Sequence, residues 1–353
     1  GNTKDKTING KKYAFDNYGA MVAEWSLNDK DLSKVNGYGD NFTASLSEAG
    51  TTIHVASGNQ VVATRANATS ALNGAGNDAQ YTRVWKYFNS VEDGARVSKG
   101  WFKVVSAEMI NAEKYDDDED AWYYADGSGN LYAGEFKTIK GKKYAFRNDG
   151  RMINGLKFLD IDEANQSIEV YADDHDTYNF DNEDDFLDHA VEYYEPNKIK
   201  CFYFGDGDDG AMRTNKTTVE IDGENHNFYF EKSGGNKGAG VTGEKDDKLY
   251  QSGMLLKADS DDKYIVVEKT SHYEGDKVKY TTYRKLDDAK EFMNADGVQV
   301  KDELDGKNGN DAVNIGNGNT KKAEDLSEAY SITYKDKDAK GDKKEYILVN
   351  TSG

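Results

Sequence analysis

Thr7-Ile-Asn-Gly-Lys-Lys-Tyr-Ala-Phe-Asp-Asn-Tyr-Gly-Ala-Met21 and Thr138-Ile-Lys-Gly-Lys-Lys-Tyr-Ala-Phe-Arg-Asn-Asp-Gly-Arg-Met152 lie 131 residues apart and match at eleven of fifteen positions. So many identities mark one duplicated structural unit, and a unit used more than once is the signature of a repeat architecture. Within each copy, Tyr13 and Phe15, or Tyr144 and Phe146, sit two residues apart, so they share one face of a strand. Asn17-Tyr18-Gly19 and Asn148-Asp149-Gly150 supply residues that tolerate a tight reversal, and Met21 and Met152 open the return. A lone hairpin is marginal in water because only one side can be buried, so the pattern calls for hairpins stacked on one another.

Weaker copies keep the order of aromatic strand, Gly/Asn/Asp turn and apolar return. Trp122-Tyr123-Tyr124 runs through 126–130 to Leu131-Tyr132, and Phe202-Tyr203-Phe204 runs through 206–210 to Ala211-Met212. Phe228-Tyr229-Phe230 leads into Ser233-Gly234-Gly235, and Leu249-Tyr250 precedes Gly253-Met254-Leu255. Tyr346 to Gly353 reads as the first strand and turn of a further unit without its return.

The pattern of Gly-aromatic, G-K-x-aromatic-x-aromatic, D/N-G turn and Met resembles the cell-wall-binding, choline-binding-like repeats of Gram-positive surface proteins, related to glucan-binding repeats. Gly100-Trp101-Phe102-Lys103 looks like the opening of such a repeat, and 10–21, 141–152 and 204–212 look like its hairpins. The resemblance implies an elongated solenoid whose inter-hairpin grooves hold choline or saccharide against aromatic rings, in a secreted or surface-attached protein. In the two best copies the strand carries Lys12 and Lys143, then Ala14 and Ala145, where the family places aromatics; only Trp101 with Trp122, Tyr123 and Tyr124 keeps the set.

The expected fold is therefore all-β dominated, an elongated array of stacked β-hairpins with irregular, partly helical insertions. Its expected parts are a first hairpin repeat at 1–27, an insertion or small subdomain at 28–99, repeat hairpins at 100–159, an acidic insertion with a short helix at 160–197, repeat hairpins at 198–270 and degenerate repeats at 271–353, the last one truncated. In the first insertion, Val61 to Thr64 reads as a strand, followed by an aromatic stretch from Tyr81 to Phe88. In the second, Phe186, Leu187, Ala190, Val191 and Tyr194 recur at helical spacing, predicting a helix over 184–194 that Pro196 stops. A further helix is expected at Leu286 to Met293.

Composition narrows the function. Against 45 basic residues stand 65 acidic ones, a net charge of −20, so a polyanion is repelled at long range and no basic stripe suits nucleic acid. A mean hydropathy of −0.88 would permit disorder, but 12% aromatic residues set in period-two strands argue for folded structure. Cys201 is the only cysteine, so an intrachain disulfide and a multi-thiolate zinc site are excluded, and its place in an apolar strand reads as a packed, inert thiol. No run reaches eighteen apolar residues, so no transmembrane segment is expected.

Asp116 to Asp120 and Asp206 to Gly210 cluster hard oxygens, but neither has EF-hand spacing, so they read as solvated turns and no metal or cofactor is expected. His54, His175, His189, His226 and His272 are scattered, with no HExxH pair and no G-x-S-x-G elbow. The chain is accordingly not expected to be an enzyme. Trp101, Trp122, Tyr123, Tyr124 and Tyr144 are the expected ligand-binding residues, since flat π faces attract sugar C-H groups and cations, although rings of this kind more often fill a core. The expected role is a noncatalytic cell-wall or surface-glycan binding module of an exported bacterial protein, with a glycan, cell-wall polysaccharide or choline-like group as partner. Two alternatives stand beside it: an adhesin or spacer that meets a protein partner through its insertions, and a fragment of a wall hydrolase whose catalytic part lies elsewhere.

Overall fold

A computed structural model describes residues 4–27, 51–54, 60–63, 77–89, 92–162, 167–169, 178–196, 198–262, 264–286, 310–316, 318–322, 330–337 and 342–353. Among these, antiparallel hairpins dominate, and the two near-identical stretches adopt the same structure. Lys4–Ile8 pairs with Lys11–Phe15, and Glu135–Ile139 pairs with Lys142–Phe146, with Ile8 opposite Lys11 and Ile139 opposite Lys142. The tight reversal is not where the sequence reading put it. It falls at Asn9-Gly10 and Lys140-Gly141, whose φ values of 49° and 79° recur identically. Two successive positive φ angles are the type I′ geometry that suits the twist of paired strands, and they explain the shared glycine.

Asn17-Tyr18-Gly19 and its counterpart have a second job. Asp16 donates its N–H to Ala20 O at 2.9 Å and accepts from Gly19 N at 3.1 Å; Arg147 repeats both bonds with Arg151 and Gly150 at 2.9 Å, and Asp126 repeats them with Asn130 and Gly129 at 2.8 and 3.0 Å. This turn brings the chain back for a single bridge, Phe15 to Met21, Ala125 to Leu131 or Phe146 to Met152. Each unit is thus a two-stranded hairpin, a five-residue turn and a one-residue third strand.

The chain divides into two compact units, the first comprising 1–155, 160–176 and 204–212. Here return residues donate to earlier hairpins: Arg96 N to Lys12 O, Met152 N to Trp122 O and Met212 N to Lys143 O, each at 2.8 Å. The returning side chains need room. A Cβ on Gly94 or Gly210 would stand 2.3 Å from the sulfur of Met21 or Met152 respectively. Tyr81, Trp85, Phe102, Tyr123 and Leu131 form the buried core of this unit, with Trp25 packed against it.

The hairpin that begins at Glu24–Leu27 closes only at Trp85–Phe88, with Trp25 opposite Tyr87. Between these arms lie the hairpin Thr51–His54 with Gln60–Ala63, covering three of the four residues of the expected strand, and the helix Asn77–Arg83. Thr64 lies outside the described residues. These elements therefore lie, in sequence, between the two arms of one hairpin.

The second unit comprises 156–159, 177–203 and 213–353. Its five-stranded sheet runs Asn215–Ile221, Glu224–Phe230, Met254–Leu255, Lys248–Gln251, Gly243–Lys245. Gly240 N donates to Cys201 O at 2.8 Å, the same linkage found three times in the first unit. The expected helix is Glu183–Tyr193; Asn182 caps it by accepting from Asp185 N at 2.9 Å, and it buries Phe186, Leu187 and Ala190. Phe186 meets Phe228 with ring centroids 5.4 Å apart, and Lys285 Nζ ties Glu183 to the adjoining strand at 2.7 Å. Cys201 is buried in the same core, and burial pushes its thiol well above its ordinary value, so it stays protonated and unreactive.

A four-stranded sheet completes this unit in the order Lys277–Leu286, Tyr264–Glu274, Lys343–Asn350, Tyr330–Lys337. Residues 346–350, expected to open a unit without a return, belong to an inner strand paired on both sides. Their partners are more than ten residues away in sequence, which local pattern cannot reveal. Fully buried Gln251 joins the two sheets, accepting from Tyr283 N at 2.7 Å. Leu286 ends a strand, and the rest of the helix expected to follow it lies outside the described residues.

The two glycines Gly210 and Gly240 make a test of the linkage. A Cβ on Gly240 would stand 2.3 Å from the backbone oxygen of Ser252, whereas at Gly210 the obstacle is the flexible end of Met152. Gly240→Ala is expected to cost about 3 kcal/mol and Gly210→Ala about 1 kcal/mol, because backbone cannot move aside as a thioether can. Urea unfolding followed by circular dichroism checks the order.

Candidate functional site

In the hairpin Gly100–Val105 with Asp120–Ala125, Trp101 stands opposite Tyr124 and Lys103 opposite Trp122. Strand alternation puts Trp101, Lys103, Trp122 and Tyr124 on one face and Phe102, Val104, Tyr123 and Ala125 on the other. The second face is the core: Tyr123 is 0% exposed, stacks on Phe102 at 5.5 Å and meets Trp25 edge-on at 5.1 Å. Tyr123 is thereby removed from the expected ligand-binding set, since it offers no atom to solvent; three aromatics in a row cannot all share one face of a strand.

The other four expected residues do come together. Trp101 is the hub, with centroid distances of 4.9 Å to Tyr144, 5.2 Å to Tyr124 and 6.3 Å to Trp122, all edge-on. Tyr144 belongs to the following hairpin, so the cluster lies on the seam between two successive units, fastened beneath by the Met152 N to Trp122 O bond. Trp101, Trp122, Tyr124 and Tyr144 are half-buried.

Two further aromatics belong to the cluster and were not anticipated. Phe146, fully buried, stacks on Trp101 at 5.7 Å, and Tyr132 stacks on Tyr124 at 5.1 Å. Period two from Tyr144 points to Phe146, and Tyr132 directly follows the returning Leu131; both signals were present in the sequence. A polar edge is also present. Asp208 Oδ1 accepts from Trp122 Nε1 and from Lys103 Nζ, both at 3.0 Å, and Lys103 Nζ lies 5.9 Å from the Trp122 ring centroid. These two donors hold the Asp208 carboxyl below its ordinary value. Asp208 lies in one of the acidic clusters first weighed for metal binding; here it orients an indole.

Edge-on contacts near 5 Å leave no gap between Trp101 and its tyrosine neighbours, so the rings form a continuous ridge with hydroxyl-bearing margins. The Trp122 face already has an ammonium of the chain within cation–π range. What remains is half-buried ring surface bordered by the Asp208 carboxylate, a combination suited to a sugar's C-H face and hydroxyls.

Below the cluster, Asp149 anchors the turn. Its carboxylate accepts from Asn111 Nδ2 and Arg151 Nε, each at 2.7 Å. Burial works against its ionisation, but the Arg151 guanidinium and these bonds outweigh it and keep the carboxyl below its ordinary value.

The fold and this seam define a hairpin-repeat protein with an aromatic ridge between consecutive repeats. No protein-family model matches the chain, and no curated protein matches it. The chain is similar to solved choline-binding repeat proteins. Choline-binding protein F of Streptococcus pneumoniae aligns at 16% identity and a TM-score of 0.29, covering 72% of this chain and 57% of that one. The modular autolysin LytC of the same organism aligns at 14% identity and a TM-score of 0.28, covering 76% and 36%. The modular Cpl-1 endolysin, solved with a peptidoglycan analogue, aligns at 17% identity and a TM-score of 0.24, covering 50% and 35%. Among the described residues no helix is long and apolar enough to cross a membrane.

Two outcomes separate scaffold from surface here. Tyr123→Ala is expected to destabilise the protein by about 3–5 kcal/mol through the cavity it leaves, while Trp122→Ala costs less than half as much, as thermal melts will show. Because the folded Asp149 carboxyl is held low, its stabilisation is complete above the ordinary carboxylate range and is lost as pH falls through the folded value. Asp149→Asn is therefore expected to cost about 1–3 kcal/mol at neutral pH and to flatten the acid limb of a stability-versus-pH curve.

Proposed function

We propose that the chain is a noncatalytic module of an exported bacterial protein that binds neutral cell-wall or surface glycans along the aromatic seam. The supporting observation is the half-buried cluster of Trp101, Trp122, Tyr124 and Tyr144, drawn from two successive hairpins and edged by Asp208. A sugar ring laid on this ridge gains apolar contact with ring faces and hydrogen bonds at the margin. A shallow ridge of this kind binds weakly by itself, and avidity arises when several are presented to a polymer. A neutral saccharide is favoured over a choline-like cation because Lys103 already lies near the Trp122 face and a second cation there is repelled.

The test is retention on purified cell walls and on glycan arrays. Trp122→Ala and Tyr144→Ala are each expected to weaken retention about tenfold without lowering the melting temperature by more than a few degrees, corresponding to about 1.4 kcal/mol of lost contact. Lack of retention by the unaltered protein on walls and arrays alike rejects the reading. Retention that free choline abolishes and neutral oligosaccharides do not replaces the glycan with the choline-like group.

A further inference from the structure

Lysines Lys216, Lys248 and Lys257 line one cavity of about 400 Å3 in the second unit, in a chain whose acidic residues outnumber its basic ones 65 to 45. No aspartate or glutamate lines it. The rest of the wall mixes polar, aromatic and aliphatic residues: Thr218 and Asn227, which stand opposite each other in the sheet register, with buried Phe228 and Tyr250 and half-buried Leu255. Lys248 Nζ donates to Ser352 O; among the described residues neither Lys216 nor Lys257 is held by a carboxylate. Three lysines line one concavity with no aspartate or glutamate among its lining residues, and an anion placed there is attracted to them.

The geometry points to this cavity as a binding site for an anionic saccharide. Its phosphate or carboxylate would be held by Lys216, Lys248 and Lys257, and its hydroxyls by Thr218 and Asn227. A cavity of this size fits a monosaccharide bearing one anionic group, and small-molecule sites commonly combine an apolar or aromatic wall with a few converging polar groups. The net charge of −20 does not forbid it. At physiological ionic strength that field is screened beyond about 8 Å, so an anion already inside the cavity interacts mainly with the lysines around it. The site is separate from the aromatic seam and independent of the reading given for it; the lining residues all belong to the second unit.

Calorimetric titration of the whole chain with glucose 6-phosphate, glucuronic acid, glucose and inorganic phosphate at low ionic strength tests the assignment. Saturable binding of glucose 6-phosphate or glucuronic acid is expected, weakening with added salt, with inorganic phosphate bound more weakly and glucose not at all. Lys216→Ala and Lys257→Ala, both with side chains that reach solvent, are each expected to weaken it about tenfold, and Lys216→Arg to retain it. Circular dichroism confirms that the variants are folded. No saturable binding by either acidic sugar, equal binding of inorganic phosphate, or binding indifferent to both alanine variants overturns the proposal.

Discussion

One backbone hydrogen bond organises the hairpin array: the N–H of the residue that returns after a turn, donated to the carbonyl of a strand in an earlier hairpin. Met152 to Trp122, Met212 to Lys143 and Arg96 to Lys12 in the first unit, and Gly240 to Cys201 in the second, all span 2.8 Å. A two-stranded ribbon cannot shelter its own faces or satisfy its outer edge. This bond closes the edge with a single residue and brings the ribbon faces together, so that ring packing can follow. The returning residue is accordingly constrained less in its side chain than in its position: Met, Arg and Gly all serve.

The duplicated motif disclosed the repeat and the aromatic alternation; of the seam it holds only Tyr144 and Phe146, and the other rings come from the weaker copy at 100–132. It concealed the place of the reversal. Asn9-Gly10 is a strong two-residue turn signal, yet Asn17-Tyr18-Gly19 nearby carries the same residue types, and composition alone does not say which turn joins long arms and which leads to a one-residue bridge. Tyr123 shows the opposite limit. Trp122-Tyr123-Tyr124 reads as one aromatic patch, but period two divides it between core and surface, and recognising that requires committing to the strand. The inner strand at Lys343–Asn350 was illegible because its partners are fixed by long-range pairing. The lysine cavity escaped for a related reason, its three ammonium groups coming from separate segments of an acidic chain.

The core chemistry differs between the two units. In the first, Trp and Tyr rings fill the space between ribbons, with T-shaped contacts at Trp25 and Trp85. In the second, Phe and aliphatic residues surround an amphipathic helix, and polar ties such as Gln251 to Tyr283 fix how the sheets meet.

The stretch 28–84 enters and leaves through two arms held in register by Glu24–Leu27 and Trp85–Phe88, while the bridge from Phe88 to Arg96 is made as in the uninterrupted hairpins. Each doubling of a connecting segment adds only about 0.6 kcal/mol of closure entropy. Evolution can therefore exchange what hangs between such arms as cargo on an unchanged chassis, and an engineer seeking a permissive graft point would begin there.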